Sequence, residues 1–281
     1  WIVAGGVLTF VVGALWWREP LAVLLWGAAM LAATAITAWL TSPRLSAPAY
    51  PTDARRDGAL DQIQERLLYM AGLVERMVTD ATTALRTRDP ELARKVVAAD
   101  DAVDHEEREI DALCQAALER HAALVGGVPL ITRAMKMVTD LERIADLAVS
   151  IARRVTKLAE RPSTPADDFL PGLAHAVQSM VSDAVDAFVK RDADLARAVI
   201  AQDDVVDVRF HAYRKATVDW MESDASHAKV GLDLQNVGKR FERMADHATN
   251  LAEHVIFLVD GRDIRHRHVD RTAPPGSLPA P

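Results

Sequence analysis

"RDPELARKVVAADDAVD" (88–104) and "RDADLARAVIAQDDVVD" (191–207) are one stretch written twice, 103 positions apart, with 11 of 17 residues identical. A second pair, "LERIADLA" (141–148) and "FERMADHA" (241–248), repeats at an offset of 100. A chain that repeats itself in this way builds one supersecondary unit twice. The difference of three residues falls between the two motifs, in the connection around "ALVGGVP" (123–129) in the first copy and the shorter connection at "ESDASHA" (222–228) in the second.

Within a copy the apolar spacing is helical. Leu60 to Leu85 gives one amphipathic helix, stopped by "RDP" (88–90). Pro90 suits the first turn of a second helix, which carries Leu92, Val96, Ala99, Val103, Ile110, Leu113 and Ala117 at the three-and-four spacing of a bundle helix. "LVGGVP" (124–129) ends it. A third helix follows to about residue 160, through Ala134, Val138, Leu141, Ala145, Ala148, Ile151 and Val155, and "RPSTPADD" (161–168) is the next break. The prevalence of Ala, Leu and Arg favours helix throughout. The expected fold is all-α: six long helices in two tandem three-helix bundles, over 58–160 and 168–260, after two transmembrane helices. The Pro-rich 261–281 reads as a disordered tail.

Charge is unevenly spread. The chain has 281 residues and a formal net charge of -7, yet residues 1–43 hold only Arg18 and Glu19. "WIVAGGVLTFVVGALWW" (1–17) and "LAVLLWGAAMLAATAITAWLT" (21–41) are uncharged, and the second is long enough to cross the ~30 Å hydrocarbon layer as a helix. Two such runs around a short polar turn predict a transmembrane hairpin over 1–43, with 44–57 as linker. No basic leader or small-residue cleavage site marks a signal peptide. Arg44, Arg55 and Arg56 after the second run place the remainder in the cytoplasm under the positive-inside rule. The expected localisation is a multi-pass cell-membrane protein, and the start at Trp1 within an apolar run suggests a piece of a longer one.

The acidic balance argues against nucleic acid as partner. A lone Cys114, beside the apolar stripe, excludes an internal disulfide and reads as a small core residue. There is no Gly-rich phosphate loop, CxxC, HExxH, EF-hand loop or Glu-x-x-His pair. His105, His211, His247 and His254 read as surface or boundary residues, and the "HRH" of 266–268 falls in the tail. Nothing assembles a nucleophile, a base and an oxyanion site, so no enzyme is expected.

The carboxylates remain. Each second helix carries an Asp pair four residues apart, Asp100 with Asp104 and Asp203 with Asp207. Each third helix carries Glu142 with Asp146, or Glu242 with Asp246. That spacing puts both acids of a pair on one helix face. The third-helix acids each follow an apolar position (Leu141, Ala145, Phe241, Ala245), which sets them at the border of the buried stripe. Antiparallel packing of the second and third helices then brings four carboxylates together in each copy. Such a group needs a counter-charge. Arg143 and Arg243 supply one in a metal-free helical scaffold; a hard cation such as Mg²⁺, Mn²⁺ or iron supplies the other, favoured because the pairs recur equivalently in both copies.

Two tandem three-helix units with acid pairs in "DDAVD" and "LERIADLAVSIA", then in "DDVVD" and "FERMADHATNLAEH", resemble the PhoU family of phosphate-uptake regulators over about residues 58–260. The resemblance implies metal binding at Asp100, Asp104, Glu142, Asp146, Asp203, Asp207, Glu242 and Asp246. It also implies negative regulation of the phosphate-starvation response, through a phosphate ABC transporter and a membrane sensor kinase. Two departures stand out. Stand-alone members have no membrane hairpin, whereas some sodium/phosphate cotransporters end in a PhoU-like domain, so the C-terminal part of such a cotransporter is the alternative. And Ser150 stands where the second copy has Asn250, which makes the two metal sites unequal. Assembly into a homo-oligomer stays open.

Overall fold

The structure, a computed structural model, describes residues 58–121, 127–158, 161, 163–261 and 264. Among them are six α-helices and no strand: α1 Gly58–Thr87, α2 Pro90–His121, α3 Gly127–Leu158, α4 Leu170–Lys190, α5 Ala193–Ser223 and α6 Ala228–Asp260. Short 3-10 turns, Pro165–Asp168 and Ala225–His227, precede α4 and α6. Helices α1–α3 pack on one another, as do α4–α6, and the bundles join through α1 against α4 and α3 against α6.

The repeated "RD" has a structural meaning. Arg88 ends α1 in the left-handed conformation, with φ of 56°, and Arg191 ends α4 in the same way, with φ of 52°. The backbone N–H of Asp89 then reaches the Ala84 carbonyl at 2.9 Å, and that of Asp192 reaches Ala187 at 2.9 Å. Each Asp caps the next helix. Asp89 accepts from the N–H groups of Glu91 and Leu92, and Asp192 from those of Asp194 and Leu195. One dipeptide therefore closes a helix and opens another, and the left-handed turn, costing about 1 kcal/mol at a non-glycine residue, is kept in both copies.

Both joints run antiparallel. On the α1–α4 side, Gln178 donates to Thr79 at 3.1 Å, Ser182 to Glu75 at 2.6 Å and Arg191 to Gln64 at 2.7 Å. On the α3–α6 side, Asp140 lies against Asn250 and Ser150 against Arg240. With the offset of 100 these are equivalent pairs, 140/250 and 240/150, so the copies are related by a pseudo-two-fold axis. The buried Ala145 and Ala245 fall midway between them in sequence. The connection between copies is pinned by Arg161, whose buried guanidinium grips Asp167, with Nη1 2.8 Å from Oδ2, while Asp167 also accepts from the Thr164 N–H at 2.8 Å.

The cores fill equivalent positions differently. The buried Tyr213 of α5 donates its hydroxyl to the Leu234 carbonyl at 2.8 Å, and its ring lies over Gly238, where an added Cβ would stand 2.5 Å from the ring. The first copy has Ile110 and Val138, both buried, at the corresponding places.

The two uncharged runs behind the hairpin expectation lie outside the described residues. Within the described residues no helix is long and apolar enough to cross a membrane, because each carries charges recurring opposite a single apolar stripe. The expected multi-pass cell-membrane localisation is corrected on that ground.

Packing yields a paired prediction. Gly238→Ala forces a methyl into the Tyr213 ring and is expected to cost about 1–3 kcal/mol. Gly72→Ala, whose Cβ meets only the tip of Arg76 at 3.7 Å, is expected to gain up to about 1 kcal/mol from helix propensity. Urea unfolding of the two variants checks both signs.

Candidate functional site

The first copy gathers its acids between α2 and α3. Burial, reinforced by Asp104 and Asp146, pushes the Asp100 carboxyl above its usual value. Burial raises Glu142 more strongly, to about 7, with Asp146 and Glu107 adding to it. Glu142 is the sheltered member, its side chain 18% exposed against 51% for Asp146. Glu107, not singled out in the sequence, belongs to the same group: burial, Asp111 and Asp104 raise it. It lies one turn beyond Asp104, a spacing that identifies it once Asp104 is known to face α3. Arg143 lies across the group, with Nε 3.3 Å from Glu142 Oε2 and Nη1 3.2 Å from Asp146 Oδ2.

In the second copy burial raises Asp246, and Glu242 and Asp207 add to it. Asp203 is half-buried one turn before Asp207. The position of Glu107 is taken by Phe210, and the counter-charge comes from Lys239, whose Nζ stands 2.5 Å from Glu242 Oε2 and over the Phe210 ring at 5.9 Å. Arg243, the counterpart of Arg143, makes no ion pair among the described residues. The two acid faces are therefore unequal, with one carboxylate fewer and a different cation in the second. All the donors are oxygens suited to a hard cation. Among the described residues, however, no three His, Cys, Asp or Glu side chains are arranged to hold an ion.

A second polar cluster occupies the α3–α6 seam, and the sequence reading missed it. Asp140 accepts from His247 Nδ1 at 2.9 Å and Asn250 Nδ2 at 3.2 Å on one oxygen, and from His254 Nε2 at 3.3 Å on the other. Burial works to raise this carboxyl, but the three donors outweigh it and hold it at about 2. Arg133 Nη1 lies 3.1 Å from His254 Nδ1. A guanidinium only donates, so Nδ1 is the acceptor and the His254 proton sits on Nε2, facing Asp140. Arg133 is itself buried and stacks on Phe257, with Cζ 3.9 Å from the ring centre. His247 and His254 thus belong to the joint between bundles rather than to a free boundary. Cys114 is wholly buried, and burial pushes its thiol up to about 11, as suits an unreactive core residue.

Comparison with known proteins bears on this arrangement of two joined bundles. A model of the PhoU domain matches residues 67–155 and again residues 170–255. The chain belongs to the PhoU family. The phosphate-specific transport system accessory protein PhoU homolog of Pseudomonas putida is 38% identical over 213 residues, covering 75% of this chain and 83% of that protein. The crystal structure of PhoU from Pseudomonas aeruginosa superimposes with a TM-score of 0.70 at 37% identity, covering 73% of this chain and 99% of that one. The phosphate transport system regulatory protein PhoU from Streptococcus pneumoniae, at 24% identity and a TM-score of 0.65, shares the fold.

Asp140 sets a pH expectation. Its folded value of about 2 lies below the ordinary 3.8, so its contribution is fully present above about pH 4 and is lost as pH falls toward 2. Asp140→Asn is expected to cost about 2 kcal/mol at pH 7 and to flatten the acid limb of stability against pH. Urea titrations at pH 7 and across pH 2–5 measure both.

Proposed function

We propose that this PhoU-family chain is an accessory regulator of inorganic phosphate transport. It lowers uptake and phosphate-responsive transcription when phosphate is plentiful, through contact with a phosphate-specific ABC transporter and a sensor kinase. The observation that carries the reading is the doubled family match over both bundles, alongside a 38% identical relative named for a phosphate-specific transport system. Deleting residues 58–260 is expected to raise phosphate uptake and phosphate-responsive transcription in phosphate-rich medium. Unchanged values for both would overturn the regulatory reading.

The acid faces enter this proposal as cation sites. Asp100, Asp104, Glu142 and Asp146 in the first copy, with Glu107 beside them, would hold Mg²⁺, Mn²⁺ or iron, as would Asp203, Asp207, Glu242 and Asp246 in the second. Support comes from the crowding itself: Glu142 is pushed to about 7 by burial and by neighbouring acids despite Arg143. Arg143 and Lys239 are the counter-charges of the metal-free chain, a role that a bound cation would share with them. A group raised in the fold costs stability as pH climbs from its unfolded value toward its folded one, here from 4.5 to about 7.

Two outcomes follow. In chelator, stability is expected to fall from pH 4.5 to 7, and Glu142→Gln removes part of that fall. Added Mn²⁺ raises the melting midpoint of the wild type by mass action, and the double variant Glu142→Gln with Asp146→Asn keeps only the second copy's share. A melting midpoint that ignores both chelator and Mn²⁺ would leave Arg143 and Lys239 as the permanent partners.

A further inference from the structure

The pseudo-two-fold axis relates the two ends of the α3–α6 seam, and their charges are opposite. Asp140 corresponds to Arg240, Asn250 to Ser150, His254 to Arg154 and His247 to Leu147. At the first end an internal carboxylate meets three donors. At the second, the geometry is kept and the anion is missing. Arg240 Nε donates to Ser150 Oγ at 2.5 Å, and Arg154 Nη1 donates to the same oxygen at 3.1 Å. One hydroxyl therefore holds two guanidiniums from antiparallel helices.

Both arginines also lean on their own helices, Arg240 Nη1 on the Asn236 carbonyl at 2.6 Å and Arg154 Nη1 on the Ser150 carbonyl at 2.9 Å. Neither has a carboxylate within ion-pair distance among the described residues. The Nε of Arg154 is buried without a hydrogen-bond partner, and the Nη2 groups of both arginines have none among the described residues. Burial, with Arg154 and Arg243 nearby, holds the Arg240 guanidinium below its usual value. Two like charges half-removed from water repel, and two forked donor groups brought to one hydroxyl from different helices suit an anion that offers several oxygens at once. Ser150, accepting from both arginines, still has its own hydroxyl hydrogen to donate.

We infer that the Arg154–Arg240–Ser150 end of the seam binds a small tetrahedral oxyanion of the phosphate or sulfate class. The site shares no residue with the acid faces, so it stands or falls independently of the cation proposal. Its occupant would bridge α3 and α6 where Asp140 bridges them at the other end, adding a second charged tie to a joint that already holds without it.

The test is isothermal titration of the full chain with inorganic phosphate, in chelator so that no cation can carry phosphate to the carboxylates. Saturable binding near one phosphate per chain is expected, displaced by sulfate and not by chloride at equal ionic strength. Arg240→Gln and Arg154→Gln are each expected to weaken it about tenfold or more, the worth of a charged hydrogen bond, while the same charge change at the exposed Arg94→Gln leaves it unaltered. Phosphate should raise the wild-type melting midpoint and raise that of Arg240→Gln less at the same concentration. Should Arg240→Gln fail to fold, Arg154→Gln and Arg240→Lys, which keeps the charge but loses the fork, carry the comparison. Absence of binding, displacement by chloride as effective as by sulfate, or affinity indifferent to both arginines would overturn the site.

Discussion

A carboxylate withdrawn from water between two helices must be given donors, and the joint between the bundles is organised around that demand at Asp140. Two imidazoles and an amide, all from α6, converge on it. His254 faces a donor on one side and an acceptor on the other, so its tautomer is fixed and it links the buried Arg133 to the buried acid. Losing one member of such a chain leaves another group without a partner. Apolar contact alone would let two long helices slide by a turn. The polar chain sets their register, and with it the relation of one three-helix unit to the other.

The acid faces lie along the α2–α3 and α5–α6 contacts, on side chains that edge the core without entering it. Their position is a compromise. Deeper burial would neutralise the carboxyls; full exposure would leave them ordinary. Glu142, with less than a fifth of its side chain exposed and a value raised to about 7, sits where its charge state answers to whatever cation lies beside it. In the second copy Phe210 replaces an acid and Lys239 brings a fixed positive charge, so the two faces differ in electrostatic demand although their four shared acids match.

The helices were legible in the sequence because each buries a single stripe at three-and-four spacing, and because "RDP" marks a helix end, although the capping role of its Asp came only with the structure. The acid pairs were legible because they agree between the copies. The seam was not legible for the same reason: a search for agreement passes over Asp140 and Arg240, Leu147 and His247, Arg154 and His254, which all differ, and it assigned the difference between Ser150 and Asn250 to the acid faces when both residues lie in the seam. They meet across the axis of the duplication, where each position of one copy touches a different position of the other. Partners there must complement rather than repeat. Glu107 escaped notice because its counterpart is Phe210, and the apolar segment 1–43 lies outside what the structure describes.

The exchange of Tyr213 and Gly238 for Ile110 and Val138 has a historical side. From a common ancestral unit, enlarging one position before shrinking its neighbour would crowd the core, and the reverse order would hollow it. Only a lineage that tolerated one of those intermediates reached the present pair, and each half now needs its own partner. The copies have become lineages with separate futures: a residue accepted in one is no guide to what the other will accept, and a chimera that trades α5 between them would inherit a ring with no place to go.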